Sequence, residues 1–423
     1  MRVIRFCLPM VGLVVAASGC ATVAPPPVAV VPEMHVVAEP VGPDALEVYD
    51  AETLFKRGLD LLDGGAYVDA ADYFSRLVRE FPDDPHALLG HYNLGLCYIN
   101  LERGNEAVAS FDAYLAALPS TAMDKDRLDG RFKRGQSLAV ARRYEEVVAH
   151  FDEMLTETLT PDDRIEALVD AGVGHYMLGL APGGEDMHRP TAEYRFLEAR
   201  RILKKEAETR RMSHMQFFQA QAAFYLAELA HLDFLAMQMV WPDEATIAAK
   251  KVSDPSTTLE GLLGSQLEEK CQRLLRAQYA YLRTIREGHP GWASAAGYNV
   301  GKMYEELHES MISLPTPNDL TAEQGEIYRE LVRKKVFILL EKAEKTYSQT
   351  AEMVTRTGAD SEWGEKTRQS LARIRARIAD EGTALAAVED DAPPVPGRPS
   401  TPLATTAPAA TTTTTTATVK GDS

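Results

Sequence analysis

The chain is poor in cysteine, in positive charge and in aromatic rings, and these shortages remove whole classes of function. Four cysteines in 423 residues, none in a CxxC pair, exclude a disulfide-built scaffold and a zinc knuckle. Cys97 and Cys271 read as buried thiols acting as small hydrophobes, since a bridge would need neighbouring α-carbons. Lys plus Arg number 45 against 62 Asp plus Glu, a formal charge of -17. That balance excludes nucleic-acid binding by phosphate neutralisation and membrane attachment through a basic surface. Catalytic signatures are missing too: there is no HExxH, GxSxG, DxDxDG or dinucleotide fingerprint. Gly297 to Met303 superficially has the look of a phosphate loop. It is one residue short between its glycines, places Met303 where Ser or Thr should hold magnesium, and sits in a helical stretch where Gly301 has a packing role. His86 and His91 are five apart and cannot share a helix face as a ligand pair would. No enzyme activity, no cofactor and no metal site are expected.

What the chain does contain is unevenly distributed. Of 24 prolines, a cluster lies between 21 and 48 and another between 389 and 423. Residues 1–19 read as an export signal, with Arg2 and Arg5 at the start and an apolar stretch too short to span a bilayer. Residues 20–48, with Pro25 to Pro27, Pro32, Pro40 and Pro43, read as an extended, partly polyproline tether. Residues 386–423 form a Pro/Thr/Ala tail with six consecutive threonines, Thr411 to Thr416, too apolar-poor to fold and expected to be disordered.

Between these ends the apolar spacing is helical, and it repeats. Leu54, Gly58, Leu61, Ala70, Phe74 and Pro82 make one window. Leu94, Gly95, Tyr98, Ala107, Phe111 and Pro119 repeat it at the same offsets. Gly135, Leu138, Val147 and Phe151 make a third, with Pro161 two residues late. Glycine lets two antiparallel helices approach, the small residue faces it, the ring fills the gap, and proline stops the second helix. Three regular repeats are therefore predicted over 49–161. Degenerate ones follow over 162–385. Thr160 and Pro161 start the fourth, and an insertion at Leu180 to Pro190 delays its second helix. A fifth pair spans Gln216 to Met239 and Leu267 to Glu287 around a long loop at 241–258. A sixth spans Ala293 to Ser310 and a helix from Ala322 opened by the capping box of Thr321 and Gln324. A closing helix runs over 362–381.

These windows resemble the tetratricopeptide pattern, which implies an all-α, right-handed solenoid of helix-turn-helix repeats with disordered ends. Ala17-Ser18-Gly19-Cys20 resembles the lipobox of bacterial lipoproteins, which implies lipidation of Cys20; Ala21 behind it implies, by enterobacterial sorting, the outer membrane. The run from His289-Pro290-Gly291-Trp292 through Ala295-Ala296-Gly297 and the Pro315/Pro317 loop to Glu362-Trp363 is similar to deltaproteobacterial outer-membrane lipoproteins, including those of the myxobacterial gliding apparatus. The first two repeats more remotely resemble the lipoprotein of the barrel-assembly machine.

Phe55, Tyr92, Phe132 and Tyr298 each lie three residues before a repeat glycine, in a slot that in tetratricopeptide folds tends to face the concave groove. Such a column either clamps a partner segment or packs ring on ring. Lys56, Asn93 and Lys133 follow and could read backbone or carboxylates. The basic helix holding Arg195, Arg200, Arg201, Lys204, Lys205, Arg210 and Arg211 also carries acids, and reads as a solvated, salt-bridged face. The expected protein is a lipid-anchored, periplasm-facing scaffold at the outer membrane, holding envelope proteins in its concave groove within a gliding, transport or assembly machine. The alternative is a chaperone-like lipoprotein that binds clients in outer-membrane assembly. The sequence names no partner and no oligomeric state.

Overall fold

The computed structural model describes residues 37–42, 45–121, 123–317, 320–358 and 362–391. The signal at 1–19, Cys20, most of the tether and the tail beyond 391 lie outside the described residues. The chain divides into two compact units, Met1–Val147 and Val148–Ser423. Among the described residues no helix is long and apolar enough to cross a membrane.

The first unit opens on a two-stranded antiparallel hairpin, β1 (Val37–Gly42) and β2 (Ala45–Tyr49), with Val37 opposite Tyr49. An unpaired extended tether was expected up to residue 48, and its last part is instead paired as strand. The β-branched Val37, Val41 and Val48 suit strands, and Pro40 is tolerated in an edge position. The hairpin is fixed at its end by Tyr49, which is buried. The guanidinium groups of Arg57 and Arg76 lie 5.0 and 4.8 Å from its ring centre, and Tyr73 meets it edge-on.

Helical pairs follow: α1 (Ala51–Asp63) with α2 (Tyr67–Glu80), and α3 (Pro85–Asn100) with α4 (Gly104–Ala117). Next come α5 (Asp124–Val140) and α6 (Tyr144–Leu155), within which the two units divide. From α1 to α5 each helix packs on the next, and the first helices also touch one another, α1 on α3 and α3 on α5. That is the contact pattern of stacked helical hairpins. Two of the three predicted glycines, Gly58 and Gly95, sit where backbone meets ring. A Cβ on Gly58 would lie 2.7 Å from the Phe74 ring, and one on Gly95 would lie 2.5 Å from Phe111. Both rings are fully buried, each contributing about 3 kcal/mol of apolar burial.

The turns repeat as faithfully as the helices. Gly65, Glu102 and Arg142 all adopt positive φ, at 76°, 57° and 58°. The residue after each donates back to a carbonyl five residues earlier: Ala66 to Leu61, Arg103 to Tyr98 and Arg143 to Leu138. This is a Schellman closure, and only Gly65 takes it with a glycine.

The second unit continues the alternation with longer pieces: α7 (Pro161–Leu178), α8 (Glu185–Ala207), α9 (Gln216–Ala236), α10 (Glu244–Ser253), α11 (Leu259–Arg286), α12 (Pro290–Ile312), α13 (Ala322–Thr357) and α14 (Glu362–Asp391). First helices again touch first helices, α7 on α9, α9 on α12 and α12 on α14. Gly172 is seated against Phe196 and Gly301 against Tyr347, so the glycine-ring lock persists although the ring comes later in the chain. Thr160 caps α7, and Thr321 with Gln324 forms the capping box that opens α13.

Three boundaries differ from the sequence reading. The insertion at Leu180 to Pro190 is mostly the start of α8, with Pro190 inside the helix, near enough to its amino end that few intrahelical bonds depend on it. The loop at 241–258 contains α10, capped by the Asp243 side chain. The closing helix runs to Asp391, past the start of the expected tail.

Candidate protein-binding cleft

In the first unit the predicted groove residues are tied to their own repeat or to the one that follows. Phe55 is half-buried, edge-on to Phe74 with centroids 6.1 Å apart and 5.1 Å from the His86 ring. Tyr92 donates to Asp129 at 2.6 Å and meets Phe111 and Tyr114 edge-on. Burial and the Asp129 charge push its hydroxyl pKa up. Phe132 is buried. Lys56 is exposed and donates to Glu52 at 2.6 Å, while Lys133 donates to Gln136 at 3.0 Å; Asn93 is half-buried. Of the two uses of an aromatic column, packing is the one these contacts display.

Tyr298 has a different setting. It packs on Tyr347 and Trp363, and it lines a cleft of about 480 Å³ in the second unit. The cleft is walled by α9 through Leu235, by α12 through Lys302, Glu305 and Glu306, and by α14 through Arg373, with Lys270 of α11 at its margin. Because α9, α12 and α14 are successive first helices, this is the face on which helical-repeat proteins seat partners. Every acid on the wall has a cation beside it. Glu305 accepts from Arg373 at 3.0 Å and from the Tyr347 hydroxyl at 2.6 Å, and Lys302 lies 3.3 Å from Glu306. Glu309 on the rim accepts from Arg377 at 2.5 Å. Such pairs, with one partner in water, contribute roughly 0–1 kcal/mol, so a partner's own charges can replace them at small cost. Lys270 is buried and donates to the Met237 carbonyl at 2.7 Å, closing the end of α9. Burial lowers its pKa.

Beneath the cleft lies a polar network that sequence reasoning missed. Glu228 of α9 accepts from Tyr176 of α7 at 3.1 Å, from Tyr281 of α11, and from Asn299 of α12 at 2.5 Å. Tyr281 is fully buried, and burial followed by the Glu228 charge pushes its pKa well up, so it stays a neutral donor. His231 lies 3.0 Å from the Tyr281 oxygen through Nδ1 and 2.5 Å from Glu306 through Nε2. Burial favours protonation of Glu306, but the His231 and Lys302 contacts outweigh it and hold its pKa below the usual value. The network ties four helices together and reaches the cleft at Glu306. Glu228 was detectable as the one charged residue in an otherwise uncharged run from Gln216 to Leu232.

Four of the seven basic residues over 195–211 are paired within the protein. Arg195 pairs with Asp152, Arg200 with Glu287, Arg201 with Glu198, and Arg210 with Asp162 and Glu206. Cys97 and Cys271 are free thiols, the first buried. The stretch Gly297 to Met303 lies within α12. Among the described residues no cluster of three or more His, Cys, Asp or Glu could hold a metal ion.

No family model matches the chain, and no curated protein matches it. Among solved structures the chain is similar to a Rap protein complexed with competence and sporulation factor, at 14% identity, covering 78% of this chain and 76% of that one, with a TM-score of 0.35. It is also similar to a TPR repeats protein from Bacteroides fragilis (15% identity, 61% and 97% covered, TM-score 0.28) and to a tetratricopeptide repeat protein from Parabacteroides merdae (13% identity, 75% and 98% covered, TM-score 0.33). The all-α helical-repeat fold is visible in the chain's own packing, in which glycine meets ring and first helix meets first helix.

Proposed function

We propose that the protein is a non-enzymatic scaffold that seats a partner segment in the cleft of its second unit. The observation that carries this reading is the wall of exchangeable ion pairs on successive first helices, above a fully bonded polar network. A wall of this kind offers alternating charges to an extended or helical segment and offers no nucleophile or metal to a substrate. The lipobox resemblance supports attachment of the chain through Cys20 to the outer membrane, facing the periplasm. The resemblance over 289–363 supports membership of a cell-envelope machine of the gliding, transport or assembly kind.

The test is cross-linking of the full chain in its native envelope, with and without the pair of reversals Lys302→Glu and Arg373→Glu. A small, fixed set of partners that disappears in the reversed chain is the expected result. Many unfolded clients of unrelated identity would replace the scaffold with the chaperone reading, and an unchanged partner set would remove the cleft. Labelling with a lipid precursor tests the anchor separately. Label on the wild type and none on Cys20→Ala is expected, and equal label on both ends that part of the proposal.

A further inference from the structure

The wall of the cleft in the second unit does not offer its two signs of charge equally. Glu305 and Glu306 are recessed, with side chains 13% and 21% exposed, and both oxygens of each are engaged. Glu305 accepts from the Tyr347 hydroxyl on one oxygen and from Arg373 on both, at 3.0 and 3.1 Å. Glu306 has His231 on one oxygen and Lys302 on the other. The cations beside them are long, exposed and only partly spent. Lys302 is 47% exposed and Arg373 61%. An ammonium carries three donors and a guanidinium five. Lys302 reaches Glu306 alone among the described residues. Arg373 reaches Glu305 through Nη2, leaving Nε and Nη1 without a partner among the described residues. The Tyr298 hydroxyl on the same wall likewise has no hydrogen-bond partner among the described residues. The sequence of α14 extends the asymmetry. Between Glu365 and Asp380 its charged residues are Lys366, Arg368, Arg373, Arg375 and Arg377, with no acid among them, in a chain whose acids outnumber its cations 62 to 45. Arg375 and Arg377 answer acids of α13 and α12, and Arg373 is the one that lines the cleft.

We infer that the cleft docks an acidic segment of a partner protein, whose carboxylates take up the spare donors of Lys302 and Arg373. This rests on the reading of the cleft as a protein-seating site and names the chemistry of what it seats. A carboxylate entering there adds charge-assisted hydrogen bonds without breaking the ones already made. The planar Arg373 guanidinium suits it further, because a carboxylate matches that fork at two points. A cationic segment has no such opening. It would find Glu305 and Glu306 recessed, each already held by two partners, and it would meet the exposed Lys302 and Arg373 beside them. Glu309 is the exception on the wall. It is 51% exposed and accepts from Arg377 through one oxygen only. It repels an acidic segment and attracts a basic one, so its removal gives the inference a sign that can be read.

The experiment titrates the full chain into two fluorescently labelled short peptides, one alternating glutamate with alanine and the other lysine with alanine, and reads anisotropy. At about 0.15 M ionic strength the Debye length is about 8 Å, so the distant acids of the chain are largely screened and the cleft wall decides. The acidic peptide should bind and the basic one should not. Lys302→Gln and Arg373→Gln should each weaken the acidic peptide roughly threefold or more, and Glu309→Gln should tighten it roughly twofold. All three positions are exposed, so the variants keep their fold, which circular dichroism checks. Failure of the acidic peptide to bind, or binding of the basic peptide that Glu309→Gln weakens, would overturn the acidic segment while the cleft still stood on its cross-linked partners. Displacement of the acidic peptide by inorganic phosphate at matched charge would make the wall a small-anion site and overturn it too. Acidic-peptide binding that none of the three variants changes would lie elsewhere on the chain and end the inference. The cleft itself falls only if the cross-linked partner set survives the reversals at Lys302 and Arg373.

Discussion

Removing the Glu228 carboxylate gives the most quantitative test of how the second unit holds together. Three donors converge on it: the Tyr176 hydroxyl at 3.1 Å, the Tyr281 hydroxyl, and the Asn299 amide at 2.5 Å. Tyr281 is fully buried, and Tyr176 and Asn299 are each 6% exposed. An orphaned buried donor costs about 1–3 kcal/mol. Three would cost up to about 9 if nothing moved, and water entering the space left by the side chain lowers this, so Glu228→Ala should cost about 3–5 kcal/mol. Glu228→Gln keeps the volume. Its amide oxygen can still accept from Tyr281 and Asn299, while its nitrogen faces the Tyr176 hydroxyl, which can turn and accept. The expected loss is about 1 kcal/mol.

All three tryptophans, Trp241, Trp292 and Trp363, lie in the second unit. Urea unfolding followed by tryptophan fluorescence therefore reports that unit alone. A Glu228→Ala midpoint shift no larger than that of Glu228→Gln, or a loss under about 1 kcal/mol, would refute the account of the network as a tie between helices.

Four further outcomes are expected. Glu102→Gly and Arg142→Gly should each stabilise the chain by up to about 1 kcal/mol, measured by circular dichroism on urea titration, because both residues hold positive φ without being glycine. Gly95→Ala should cost about 1–3 kcal/mol, since its methyl would press on the Phe111 ring, and Phe111→Leu should relieve part of that loss. Below pH 6.5 the second unit should weaken through His308, which is fully buried, accepts from Arg377 at 3.2 Å, and has Glu381 at 3.6 Å. Burial first and the Arg377 charge next hold its pKa below 6.5, while Glu381, Glu309 and Glu305 pull the other way. The unfolded chain therefore takes the proton before the folded one, and stability falls as pH drops through 6.5 toward the folded value. The fluorescence midpoint of His308→Gln should depend less on pH than that of the wild type. Lastly, replacing Phe55, Tyr92 and Phe132 by alanine should lower the melting temperature, because these rings pack into their repeats.

The parts of the fold that were legible are those where one residue type is physically required. Gly58, Gly95, Gly172 and Gly301 each lie where a Cβ would strike a ring, and Thr321 with Gln324 is a cap that chemistry specifies. The illegible parts are those where tertiary packing overrides local preference. Glu102 and Arg142 take the conformation that Gly65 takes, and their side chains do not announce it. Pro190 reads as a stop, yet it lies inside α8. Residues 241–258 read as loop, yet the Asp243 cap starts a helix within them. At the site, aromatic spacing located the first helices correctly but could not tell a ring facing a groove from a ring filling one. Tyr298 lines the cleft only because Lys302, Glu305 and Arg373 gather around it from two helices, α12 and α14, and that convergence has no signature in any one stretch of chain.

The regular face of this protein is nearly saturated with its own contacts. Tyr92, Arg195, Arg200 and Arg210 all have partners within the chain, so a ligand that sought them would have to break bonds already made. On the cleft wall that cost is smaller, because the pairs of Lys302 with Glu306 and of Glu305 with Arg373 each keep one partner in water and contribute only about 0–1 kcal/mol. In a stacked array the core must repeat to fold, so the packed rings have little freedom to vary for a partner, whereas the charges on the wall can change without disturbing the stack. Recognition is therefore expected to rest on Lys302, Glu305 and Arg373 rather than on the rings that lock one helix to the next.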